Sequence, residues 1–161
     1  MRSVTITIPG EVVPKQSVRS TCIPYYNDKT GKWDAFLKVY QTKKIKDYEI
    51  LVANAAREEV GPGFKWLEGT LAVSATLIFE PPQSMPKNMK DLMFSGGIIY
   101  KATEPDLTDN LLKGIFDGFK DVIYKNDGQI ALIREVRKIY GPEAKAIVTI
   151  EEIQQANSAL L

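Results

Sequence analysis

From Leu107 to Lys120 the chain reads L-T-D-N-L-L-K-G-I-F-D-G-F-K, and this stretch limits the fold more than any other. Wound at about 100° per residue, it puts Leu111, Leu112, Ile115, Phe116 and Phe119 on one arc. Asp109, Asn110, Lys113, Asp117 and Lys120 take the opposite arc, with Gly114 and Gly118 at the border. A helix divided in this way must lay its apolar arc on a core that other elements supply. Its polar arc sets carboxylates beside a lysine, and a further acidic turn, Asn126-Asp127-Gly128, follows shortly after.

The core-forming partners are legible on either side. Val4, Ile6 and Ile8 alternate with Thr5 and Thr7, and Leu71, Val73, Ala75, Leu77 and Phe79 alternate with their neighbours, so both runs read as strands with one buried face. Thr42 to Val60 carries Ile45, Tyr48, Leu51, Val52, Ala55 and Ala56 at helical spacing and stops at Gly61-Pro62-Gly63. Cys22 to Tyr40 reads as a hairpin turning at Asn27–Lys32, and 83–97 as a loop or short helix. Ile98 to Ala102 is expected as a short strand. After the acidic helix, Val122 to Tyr124 is expected as a strand, Lys125 to Gly128 as a turn, and Gln129 to Tyr140 as the returning strand. Ala144 to Glu151 closes the series, and Glu152 to Leu161 reads as a frayed helix or a partner-contacting tail. This order predicts an α+β fold, a single domain spanning 1–161 with a mixed β-sheet and helices packed on one face. No apolar run approaches the roughly 18 residues that a membrane span needs, and the N-terminus lacks a signal peptide's apolar block. A cytoplasmic protein is expected.

Two absences prune the chemistry. The chain has no histidine and one cysteine, Cys22, which excludes histidine bases, Ser-His-Asp and Cys-His arrangements, and a cysteine-rich zinc site within one chain. Carboxylates, lysines, hydroxyls and hard metal ions held by oxygen remain. The net charge is only +1, so a nucleic-acid partner would require positive charge segregated onto part of the surface. Between Lys29 and Lys46 six lysines (Lys29, Lys32, Lys38, Lys43, Lys44, Lys46) face one acid, Asp34, with Tyr25, Tyr26, Trp33 and Tyr40 nearby. That mixture suits a nucleic-acid contact surface, although lysine runs are also ordinary solvated faces. Lys43, Lys44 and Lys46 crowd a helix N-terminus, where the dipole disfavours cations and a phosphate would relieve them.

Asp106, Asp109 and Asp127, if brought together, would repel one another unless a divalent cation joined them. Magnesium prefers carboxylate and water oxygens. Lys113, one turn past Asp109, could then orient a water or neutralise a phosphate. A plainer reading stands beside this one. Asp106 or Thr108 is a good N-cap, with Asp109 as capping-box partner to Asp106, Asp109 and Lys113 form an i,i+4 pair, and Asn126-Asp127-Gly128 is a hairpin turn. Spacing leaves both open.

The run P-D-L-T-D-N-L-L-K-G-I-F-D-G-F, followed by V-I-Y-K-N-D-G-Q-I, resembles the RusA family of Holliday junction resolvases. The early P-K-Q-S-V-R segment (Pro14 to Arg19) is similar to that family's basic N-terminal loop, and Pro81 to Lys87 to its P-x-S-x-x-K segment. The resemblance implies that Asp109 is a catalytic metal ligand, Lys113 the catalytic lysine and Asp127 a further ligand. Where the family has D-x-D this chain has D-L-T-D, one residue longer, which puts Leu107 at the strict position and leaves Asp106, or failing it Glu104, as the remaining ligand. Asn126 stands where the family's turn has aspartate, and Asp117 matches a later helical aspartate with a structural or outer role. The family pattern further implies magnesium or manganese as cofactor. It implies a homodimer that makes paired symmetric nicks in four-way DNA junctions, in recombination and repair, encoded by a bacterium or its prophage. Lys15, Arg19, Lys43, Lys44, Lys46, Lys87 and Lys90 would contact DNA phosphates.

Overall fold

A computed structural model describes residues 1–15 and 19–154, with the side chains of Arg19, Val39, Thr108 and Asp109 outside that description. The elements in order are β1 (Ser3–Pro9), β2 (Arg19–Asn27), β3 (Lys32–Tyr40), α1 (Lys43–Val60), β4 (Thr70–Phe79), α2 (Lys87–Phe94) and β5 (Ile99–Tyr100). A π-helical turn (Leu107–Leu111) then runs into α3 (Leu112–Phe119), followed by a 3-10 turn (Asp127–Gln129), β6 (Ile130–Tyr140) and β7 (Lys145–Ile153).

Five strands form one mixed sheet in the order β1-β7-β4-β6-β5, and β2 pairs only with β3 in a separate two-stranded ribbon. Every pairing in the main sheet is antiparallel except β4 with β6. The alternation seen in the sequence sorts the two faces. Ile6 and Ile8 from β1, Leu71, Val73, Leu77 and Phe79 from β4, and Ala146, Val148 and Ile150 from β7 are buried on one side. Helices α1 and α3 cover that side, contributing Tyr48, Val52, Ala56, Leu112, Ile115 and Phe119 to the same core. The chain is therefore α+β, with helices packed on one face of a mixed sheet.

The α1–α3 contact is close because α3 presents glycines to it. A Cβ on Gly118 would lie 2.7 Å from the Val52 side chain and 2.9 Å from the Glu49 carbonyl oxygen. Any larger residue would have to push the helices apart. The two glycines at the edge of the sequence pattern thus belong to the buried side of the helix.

Three expectations change. Residues 122–124 are not a strand; Tyr124 makes only isolated bridges, to Leu67 and Lys120. Asn126-Asp127-Gly128 is no hairpin turn, because β6 leaves it to run parallel to β4. Glu152 and Ile153 extend β7 rather than fraying, and the rest of the expected tail, from 155, lies outside the described residues.

Candidate active site

The acidic segment enters its helix through backbone geometry that an ordinary α-helix lacks. Asp106 is extended (φ −64°, ψ 138°) and its side chain makes no capping hydrogen bond, so the reading of Asp106 as a helix cap is not realised. Leu107 to Leu111 then form the π turn. A π turn closes i→i+5 and holds one residue more than an α turn, commonly as a single-turn bulge near functional positions. Leu107 and Thr108, the two residues between Asp106 and Asp109, lie in this turn, and regular winding begins at Leu112. Asp109 lies within the π turn, its carboxylate outside the described side chains. Lys113 follows in the first turn of α3 and is exposed.

Asp127 opens the 3-10 turn, but capping there falls to its neighbours. Asn126 Oδ1 accepts from the Gly128 N–H at 2.9 Å, and the Asn126 N–H donates to Gln129 Oε1 at 3.1 Å. Asp127 is exposed. Neither the Asp106 nor the Asp127 side chain has a hydrogen-bond or ion-pair partner among the described residues.

Three buried or half-buried groups fix this region to the core. The Tyr124 hydroxyl donates to the Phe116 carbonyl at 2.9 Å; burial first, then the negative charges of Asp127 and Asp117, push its pKa up. Gln129 Nε2 donates to the Leu67 and Gly69 carbonyls at 3.3 and 3.2 Å, holding the start of β6. Lys15 closes the other side. Its backbone N–H donates to the Asn110 carbonyl in the π turn at 2.9 Å, and its Nζ pairs with Glu49 Oε1 at 2.7 Å and with Asp117. Burial alone would lower the Lys15 pKa, but the hydrogen bonds to Asp117 and Glu49 outweigh it, so the ammonium is held above its ordinary value.

Lys15, expected as a phosphate contact, is 9% exposed and its ammonium pairs with two carboxylates, so its charge ties α1 to α3. The other expected basic contacts differ. Lys43, Lys44 and Lys46 are exposed at the start of α1 and Lys87 is exposed at the start of α2. Lys90 is half-buried and donates to the Gln83 carbonyl at 3.1 Å. Arg19 opens β2, with its side chain outside the description. Among the described residues no three Asp, Glu or Cys side chains stand gathered as a metal cage; that count leaves out the Asp109 carboxylate.

Two contributors escaped the sequence pattern. Glu49 on α1 and Lys138 on β6 carry no pattern that singles them out. Lys138 reaches the segment ahead of the π turn, where its Nζ donates to the Thr103 and Pro105 carbonyls.

The family model described as Endodeoxyribonuclease RusA matches residues 10–151, nearly the whole chain. A relative from Bacillus subtilis (strain 168), "Uncharacterized protein YqaN", is 29% identical over 158 residues, which cover 95% of this chain and 99% of the relative.

Proposed function

Because the chain belongs to the RusA family of endodeoxyribonucleases, we propose that it resolves four-way DNA junctions by paired symmetric nicks, as a homodimer using magnesium or manganese, in recombination and repair. The observation that carries this reading is that Asp106 and Asp127, on either side of the Asp109 turn, do no capping and form no ion pair. Acidic groups at such turns ordinarily cap them; here Asn126 and the backbone have taken over that work.

The donor set fits a hard divalent ion, since Asp106, Asp109 and Asp127 offer only carboxylate oxygen. A bound ion would supply positive charge for the phosphate oxygens and an activated water. The chain's own groups do the rest. Lys113 Nζ, exposed on the turn after Asp109, would donate to a nonbridging phosphate oxygen and hold the developing charge. Lys43, Lys44 and Lys46 would receive backbone phosphates at the α1 N-terminus, where the helix dipole adds to their attraction. Arg19, Lys87 and Lys90 would extend the contact, selecting the position of the backbone rather than its sequence. A single unit over 1–161 suffices for one centre, and a twofold dimer supplies the second incision.

The test is cleavage of four-way junctions against linear duplex with magnesium or manganese. Asp109→Asn is expected to lower cleavage by roughly 10²–10³-fold or more, the scale of losing one electrostatic catalytic group, while leaving junction binding intact. Absence of cleavage with either metal, or cleavage indifferent to Asp109→Asn, would overturn it. Junction binding with a steep salt dependence but no product would mark a DNA-binding member without hydrolysis.

A further inference from the structure

Residues 101–106 cross from β5 to the π turn with little regular structure of their own. Two lysines hold them. The Lys101 N–H donates to the Lys138 carbonyl at 3.0 Å, tying the start of the segment to β6. Lys101 Nζ donates to Thr103 Oγ1 at 2.6 Å. From β6, the half-buried Lys138 sends Nζ to two carbonyl oxygens, Thr103 at 2.6 Å and Pro105 at 2.7 Å. Pro105 directly precedes Asp106, and its carbonyl belongs to the peptide unit that sets the direction of the Asp106 backbone.

The chemistry of this clamp goes beyond holding a loop. Proline has no N–H to donate, and Asp106 makes no cap bond, so the segment has little else to define its path. No carboxylate among the described residues pairs with the Lys138 ammonium, so its charge goes to the two carbonyl groups flanking Glu104. Its ammonium is thereby held against the backbone on both sides of Glu104, directly ahead of Asp106.

We infer that Lys138 is a positioning residue for the metal site: it fixes the peptide ahead of Asp106 so that this carboxylate is presented to the ion. The inference rests on the proposal that Asp106 is a ligand, and the experiment separates the two. Manganese binding to the full-length protein without DNA is measured by calorimetry and by the rise in melting temperature, for the unaltered chain, Lys138→Met, Lys138→Arg and Asp106→Asn. Junction cleavage is titrated with magnesium in parallel.

Lys138→Met should weaken manganese binding by roughly 10–100-fold, as loss of an orienting partner does. It should move half-maximal cleavage to higher magnesium while much of the saturated rate returns. Lys138→Arg, which keeps a cationic donor of similar reach, should restore most of the affinity. A purely structural lysine would lower the metal-free melting temperature and leave metal affinity unchanged; that result overturns the inference. Weakened binding in Asp106→Asn with unaltered binding in Lys138→Met sinks the clamp but leaves Asp106 a ligand. Unaltered binding in Asp106→Asn removes Asp106, and with it the role of Lys138. Should the Met variant fail to fold, Lys138→Gln, which retains a neutral donor, takes its place under the same criteria.

Discussion

The acidic segment and the β2–β3 ribbon both set charge beside large apolar groups, yet they are built in opposite ways. Behind the acidic segment, Leu111, Leu112, Ile115 and Phe119 are buried, and Lys15, Tyr124 and Lys138 tie its polar side to three other parts of the chain. Among the described residues the ribbon has no such backing. Trp33 is 74% exposed and Leu37 65%, and the ring contacts formed, Tyr26 with Trp33 and Tyr25 with Phe36, lie within the ribbon itself. A two-stranded hairpin is at best marginal alone, and here it carries exposed aromatic and aliphatic side chains on its own. The difference teaches where preorganisation lies. The backbone that carries the acids is tied to the core, whereas most described side chains of the ribbon stand exposed.

The largest effect expected from testing this contrast is at Lys15. Lys15→Met leaves Glu49 and Asp117 without their ammonium, and breaking such a half-buried pair should cost about 3 kcal/mol of stability in urea denaturation. A loss below about 1 kcal/mol would mean the core does not hold the acidic segment through this ion pair. Gly118→Ala should follow, at about 1–3 kcal/mol, because the added methyl meets Val52 and the α1 backbone. If that variant unfolds at the same denaturant midpoint, α1 and α3 are not tightly docked.

On the ribbon the stability effect should nearly vanish. Trp33→Ala with Leu37→Ala should shift unfolding by about 0.5 kcal/mol or less while weakening junction binding in gel-shift titrations. A stability loss well above that would show the ribbon packed after all, and the contrast would fail.

The smallest effect sits at the far edge of the sheet, and it is pH-dependent. Arg2 first, then the Glu68 backbone N–H, hold the Glu152 carboxyl down to about 2, against an ordinary value of 4.5. A depressed folded-state value contributes stability that is full above about 4.5 and is lost as pH falls toward about 2. Arg2→Ala should flatten the fall in stability through that window, measured by denaturation at successive pH values. An unchanged slope would show that the pair contributes nothing there.

Much of the fold could be read locally. The alternation of Leu71 to Phe79 became β4 and the helical spacing of Ile45 to Ala56 became α1, because each pattern needs only its own residues and one buried face. Residues 122–129 misled because the same V-I-Y and N-D-G signals serve a hairpin or a turn into a parallel strand. The choice was made by β4, some fifty residues earlier. The pairing of Lys15 was illegible for a similar reason: Glu49 and Asp117 lie 34 and 102 residues away and meet it only in the fold.

By itself the sequence determined which chemistry was open to this protein. With no histidine and one cysteine, it left carboxylates and lysines, and its acidic run carried enough local pattern to point to a nuclease family. Only the tertiary structure decided which of those charges are available. Lys15 is drawn into an internal ion pair, Lys138 is bonded to the loop before Asp106, and the residues between Asp106 and Asp109 are wound into a π turn. Those outcomes depend on groups far apart in the chain, and hydrogen bonds and ion pairs between them form only when the core brings them within about 3 Å.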